Sequence, residues 1–251
     1  TLARSILAAP LKCRDALRYV GVETSEVQRQ RHPSGIMSTA EIPTEPIVGV
    51  VLANELLDNL PFRLMVFDGS WRESWIASTP SGFSEELRNV SDIAVQLPRT
   101  APHGARVPIQ DVARRWVENA VASLSRGRLL VIDYARRSTE EVAKIGWREW
   151  LRTYAQHGPG GHYLKDVGLQ DITCDVMLDQ VFEGVVARFI TQASFLNSHG
   201  IAAAVDEGRT YWEAHASQPD VRAMTMRSRI SEAEALTDPS GLGAFTVAEV
   251  V

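Results

Sequence analysis

Asn54, Glu55 and Asp58, three polar residues in one short run, have the types and spacing for acid–base chemistry. They follow Ile47 to Leu52, an apolar run that reads as a short strand buried on both faces, of the kind found inside a parallel sheet. A strand that feeds a short helix here leaves the acids at its carboxyl end, where open α/β sheets bind ligands. Three apart on that helix, Glu55 and Asp58 occupy neighbouring positions on one face. The same residues also suit plain structure, because Asn54 is a good N-cap and the helix dipole favours Glu55 in a first turn.

The elements that must position this cluster repeat its logic. Leu17 to Val22 reads as a strand ending on Glu23, with Thr24 and Ser25 leading into a helix. In nucleotide-binding units an acid so placed accepts hydrogen bonds from ribose hydroxyls; the alternative is that Glu23 caps the next helix. Leu129 to Ile132 is a second buried strand, ending on Asp133 and Tyr134. Between them, Phe62 to Phe67 alternates, Asp68-Gly69 is a hairpin turn signal and Trp71 to Ala77 is expected to return antiparallel. Residues 79–107 carry Pro80, Gly82, Pro98, Pro102 and Gly104 and read as irregular. We therefore expect one domain over 1–251, with 62–107 as a hairpin and lid-like insertion. Pro108 opens an amphipathic helix from Ile109 to Leu124, with Gly127 as its expected stop.

Further along, His157 and His162 flank a glycine turn, but no third nitrogen or sulfur ligand is near, so a flexible loop over the active edge is expected and no metal. Asp171, Thr173 and Asp175 alternate, a pattern that lines a pocket or faces water. Residues 183–192 read as a strand, 193–199, 203–215 and 221–236 as helices, and 244–250 as a closing strand.

Composition narrows the function classes. With 251 residues and 45% hydrophobic content, the chain can bury a large core. A net charge of -5 opposes a general nucleic-acid surface, which needs a concentrated positive field. Cys13 and Cys174, far apart, fit a reducing compartment, and the expected location is the cytoplasm. No apolar run approaches the ~20 residues that span a bilayer, so no membrane partner is expected. The first residues, TLARSILAA, start inside an amphipathic helix without a methionine, and we expect that sequence upstream has been removed.

Several separate pieces carry a family resemblance. IVGVVLANELLDNLP (47–61), Trp71 and Glu73 in W-x-E, LVIDY (130–134), LRTY (151–154) after Trp150, DIT (171–173) and TQASFL (191–196) together resemble the MidA family of S-adenosylmethionine-dependent methyltransferases. That family includes a mitochondrial complex I assembly factor that methylates an arginine of a complex I subunit. The resemblance implies an α/β, class I (Rossmann-like) methyltransferase fold with a seven-stranded, mostly parallel sheet. It implies S-adenosyl-L-methionine as cofactor and a protein arginine as acceptor, with a respiratory complex subunit as the candidate partner and oligomerisation left open. On it, Asn54, Glu55 and Asp58 become catalytic, Glu23 and Asn54 cofactor-binding, and Asp133, Tyr134, His157 and Asp171 substrate-binding. The chain departs from the family at its start, where an E-x-G-x-G turn and the first strand are missing, and at Ala135, where glycine is usual. The departure implies an N-terminally truncated enzyme or, alternatively, a non-catalytic binding or assembly factor that keeps the fold. A metal-free hydrolase built on Asp133 and His157 lacks the G-x-S-x-G turn it would need.

Overall fold

The computed structural model describes residues 2–80, 82–90, 93–156 and 158–251. In its first part, helix α1 (Leu2–Ala8) stops just before Pro10, and strand β1 (Val20–Val22) leads to the one-turn helix α2 (Glu26–Arg29). Ser25 caps α2, its hydroxyl accepting from the Gln28 amide. Strands β2 (Met37–Thr39) and β3 (Ile47–Asn54) follow. Then come β4 (Arg63–Phe67), β5 (Trp71–Thr79), β6 (Gly82–Arg88) and β7 (Arg106–Ile109), and helix α3 (Asp111–Ser123). The next stretch holds β8 (Leu124–Asp133), β9 (Ala135–Arg136), α4 (Thr139–Val142), β10 (Leu151–Ala155), β11 (Gly158–Pro159), β12 (Asp171–Cys174), β13 (Val176–Met177) and α5 (Leu178–Val181). Last are β14 (Ala187–Thr191), α6 (Gln192–Ser198), α7 (Ile201–His215), α8 (Val221–Thr237) and β15 (Thr246–Val250).

The sheet that carries the acids has the order β14-β15-β8-β3. Strands β3 and β8 are parallel, while β15 lies antiparallel between β8 and β14. Three strands thus share a direction, yet two of the three ladders are antiparallel, because the reversed strand sits inside the order and not at its edge. A second sheet, β6-β5-β4-β7, is antiparallel throughout, and β1 pairs with β2 in parallel apart from both. The mostly parallel, seven-stranded sheet expected above is therefore not what the described residues form. Antiparallel ladders dominate.

Burial corrects a second expectation. Strand β3 alternates instead of being covered on both faces: Val48 and Val50 are 72% and 60% exposed, and Ala53 is buried. Among the described residues it is the edge of its sheet, and only β8 pairs with it. The β3–β8 contact is unusually close at Gly49 and Gly127, which face each other. Gly127 has φ +144°, and a Cβ there would penetrate the Gly49 carbonyl oxygen. Gly127 is therefore not a helix stop. It lies within β8 and allows the two backbones to meet.

Helix α3 turns Ala113, Val117 and Ala120 inward, a stripe at i, i+4 and i+7. They pack with Leu129, Val131 and Val181 in the core under the sheet. The helix starts at Asp111, later than Pro108, because Val107 and Ile109 are buried as β7 completes its ladder with β4. The stretch expected to be irregular contains β6 and the start of β7. The second core joins this antiparallel sheet to the middle of the chain through Met65, Val107, Trp150, Cys174 and Met177. Among the described residues, no helix is long and apolar enough to cross a membrane.

Candidate active site

Where β3 ends, the chain does not enter a capped α-helix. Asn54 is the last residue of the strand, and the Glu55 amide still donates to the Ile132 carbonyl of β8 at 2.9 Å, extending the ladder by one bond. Glu55 then adopts φ 49°, a left-handed conformation that non-glycine residues rarely take and that is often found at functional sites. The turn delivers Leu57–Asn59 as one turn of 3-10 helix, with no side-chain cap. This overturns the reading of Asn54 as an N-cap and of Glu55 and Asp58 as neighbours on one helix face. Asn54 and Glu55 are exposed, the Asn54 amide lying 3.4 Å from the Glu55 carboxylate.

Asp58 and Asp133 are instead the pair that the fold brings together. Each is 2% exposed. The Asp133 carboxylate, at the end of β8, accepts from the Leu57 amide at 2.9 Å, the Asp58 amide at 3.4 Å and the Tyr134 amide at 2.9 Å. Leu57 anchors the arrangement because its side chain is fully buried in the first core. Burial is the main reason that both acids hold protons unusually well. Asp133 is raised to about 7, by desolvation and then by the Asp58 charge, against the opposing pull of its three amide donors. Asp58 is raised to about 6, by desolvation and then by the Glu55 charge, while its bonds to Asp133 and Asn59 and the charge of Arg152 hold it down. The Asn59 amide donates to Asp58 at 2.7 Å. The two carboxyls interact, so they titrate as a pair that can take up a proton near neutral pH.

A second layer closes over the pair. Arg152 lies over the Tyr134 ring, 4.9 Å from its centroid, and Tyr134 in turn packs on Phe245 at 4.1 Å. Buried Asp175 fixes Arg152 from behind and also binds Arg136 at 2.9 Å. In the β10–β12 ladder, Arg152 faces Thr173. Strand β12 packs on the 3-10 turn, and the buried Thr173 hydroxyl has no partner among the described residues. A buried hydroxyl left without a partner suits the polar atom of a ligand. Asp171, at the start of β12, is exposed opposite Tyr154. His157 lies outside the described residues.

Glu23 stands at the end of β1, in the separate two-stranded sheet. One of its oxygens accepts from the Ser25 amide at 2.8 Å, but Ser25 and not Glu23 caps α2, so the capping alternative does not hold. The other remains for a diol, and Asn54 adds an exposed amide at a parallel strand's carboxyl end. Each side chain is of a type that holds a nucleoside cofactor. No cluster of three or more His, Cys, Asp or Glu able to hold a metal occurs among the described residues.

Sequence reasoning missed Asp175 and Thr173 as parts of one site with Arg152. The alternation of 171, 173 and 175 was the available signal, but it did not show which strand they oppose.

A family model described as "Putative S-adenosyl-L-methionine-dependent methyltransferase" matches residues 1–201. No curated protein matches the chain. Two solved structures from Burkholderia thailandensis are similar. One is an uncharacterized protein, 24% identical with a TM-score of 0.77, matched over 99% of this chain and 70% of its own. The other, of the same superfamily, is described as a "likely methyl transferase" bound to S-adenosyl-homocysteine; it is 23% identical with a TM-score of 0.74, matched over 99% of this chain and 66% of its own. At these identities the likeness is one of fold.

Proposed function

The chain belongs to this family of S-adenosyl-L-methionine-dependent methyltransferases, and we propose that it methylates a cationic nitrogen, a protein arginine of the MidA type, with Asp58 as proton acceptor. The observation that supports this most is the buried Asp58–Asp133 pair, raised to about 6 and about 7 at the carboxyl ends of adjoining strands. On this reading β3, β8, β14 and the reversed β15 are the far half of a Rossmann-like sheet.

Bound S-adenosyl-L-methionine supplies an activated methyl group; Glu23 and Asn54 are the residues that would hold it. Placing the acceptor nitrogen is the task of the protein. An arginine side chain is drawn in by Glu55 and Asp58, and it must shed a proton as its nitrogen is methylated. Asp58 receives that proton, and the Asp58–Asp133 pair, which shares one proton before transfer, passes from a single negative charge to none. Arg152, fixed by Asp175 and laid on Tyr134, limits how negative the site becomes.

Calorimetric titration of S-adenosyl-L-methionine into the chain tests the reading. Saturable binding weakened at least tenfold by Glu23→Ala is expected. Heat indistinguishable from dilution, both from this chain and from one extended upstream through the glycine-rich turn, would overturn it in favour of a binding or assembly factor.

A further inference from the structure

Strand β5 peels away from β4. Their ladder runs from Phe67–Trp71 only as far as Met65–Glu73, while β5 remains paired with β6 out to Thr79. From Ser74 to Ile76 the edge of β5 that had faced β4 therefore bonds no backbone among the described residues. Arg63 sits at the fork, its guanidinium gripping Glu73 through two bonds of 2.7 and 3.1 Å. The wedge opens a cleft of about 490 Å³, within the usual range of ligand sites.

Its chemistry is uneven in an informative way. Leu60, Phe62, Leu64, Trp75 and Ile76 line it, and Leu151 and Ile172 also do so. Trp75 and Ile76 are about half exposed, as is Phe83 near the tip of the same hairpin. Arg63 and Glu73 neutralise one another, so the middle of the cleft selects apolar groups and not charge. The end at Asn59 is different, because Asn59 holds the Asp58 carboxylate. An unpaired strand edge is a template for another backbone, and native proteins rarely leave one bare beside exposed aromatic and aliphatic side chains.

We propose that this cleft binds an extended stretch of the acceptor polypeptide, which adds alongside β5 at Ser74–Ile76. An apolar side chain of that stretch fills the space between Phe62 and Ile76, and a cationic residue reaches Asp58 past Asn59. The free edge calls for a backbone, the walls for an apolar residue and the acid pair for a cation. The inference rests on the reading of Asp58 as the acceptor end of the site.

The test is a titration of the isotopically labelled chain, followed by amide NMR, with acetyl-Gly-Leu-Ala-Arg-Ala-Leu-Gly-amide and with the same peptide methylated on its backbone nitrogens. The parent peptide is expected to shift the Ser74, Trp75 and Ile76 amides. Backbone methylation should weaken binding at least tenfold, as should the exposed substitution Ile76→Asp, which leaves the unfolding temperature unchanged. Equal binding of both peptides, shifts confined to other surfaces or no binding at millimolar peptide would overturn the proposal. Shifts of the same amides that depend on protein concentration alone would overturn it too, marking the edge as a contact between copies. Transfer of labelled methyl to the peptide is scored separately. Docking at β5 without transfer counts against the arginine reading only, and transfer without docking at β5 counts against this one only.

Discussion

At the scale of single residues, Asp58 and Glu55 divide roles that their spacing suggested they would share. Asp58 is buried, hydrogen-bonded and raised to about 6, whereas Glu55 is exposed in a left-handed turn. Asp58→Asn should lower kcat by roughly 10²–10⁴, the usual weight of a general base, with little change in cofactor affinity. Glu55→Gln, which keeps the shape and loses an exposed charge, should cost about tenfold or less. Steady-state rates with both substrates saturating would separate the two; equal losses would return Glu55 to an equal part. Thr173 makes a prediction of the opposite sign. Its hydroxyl is buried without a partner, and leaving such a group unsatisfied costs about 1–3 kcal/mol. Thr173→Val should therefore raise the stability of the ligand-free chain by about 1 kcal/mol, read as a higher denaturant midpoint, and Thr173→Ser should not.

At the scale of elements, the site depends on how closely β3 and β8 approach, since that contact sets Asp133 beneath the Leu57–Asn59 turn. Gly127→Ala places a methyl group against the Gly49 carbonyl in a conformation that non-glycine residues avoid. Strands forced apart lose the bond from Glu55 to Ile132 as well. We expect destabilisation by more than about 3 kcal/mol, or failure to fold, measured by chemical unfolding. Much of this scale was legible in the residues. The Ile47 and Leu129 strands, the α3 stripe and the acids at the strand ends follow from local periodicity. Asn54 and Gly127 were misread because a cap and a stop are local ideas, while here a neighbouring strand decides the outcome. Asp133 could be placed at a strand end, but its bonds to Leu57 and Asp58 join residues more than seventy positions apart and depend on strand register. The exposure of Val48 and Val50 was equally hidden, because an apolar run does not say how many faces are covered.

At the scale of the whole molecule, the acid pair ties stability to pH. In the unfolded chain both carboxyls titrate near 3.8; in the folded chain they titrate near 6 and 7. Between those limits the native state binds more protons, so the contribution of the pair is fully present below pH 3.8 and is lost as pH rises through 6 and 7. Glu85 acts in the other direction and in another window. Although burial alone would raise it, bonds from Arg106, Ser74 and Tyr163 lower it to about 2, so its contribution holds above pH 4.5 and fades toward pH 2. The unfolding temperature should fall from pH 5 to pH 8, and Asp133→Asn should remove at least half of that fall. An unchanged slope in the variant would mean that the pair titrates as ordinary surface acids do. The same pair is the centre of the functional account, and the most direct test is transfer of labelled methyl from S-adenosyl-L-methionine to an arginine peptide by the wild-type chain and by Asp58→Asn. The account predicts methylarginine from the wild type and a loss of about a hundredfold or more in the variant at equal cofactor occupancy. Undiminished transfer by Asp58→Asn, or label on some group other than a cationic nitrogen, would contradict it.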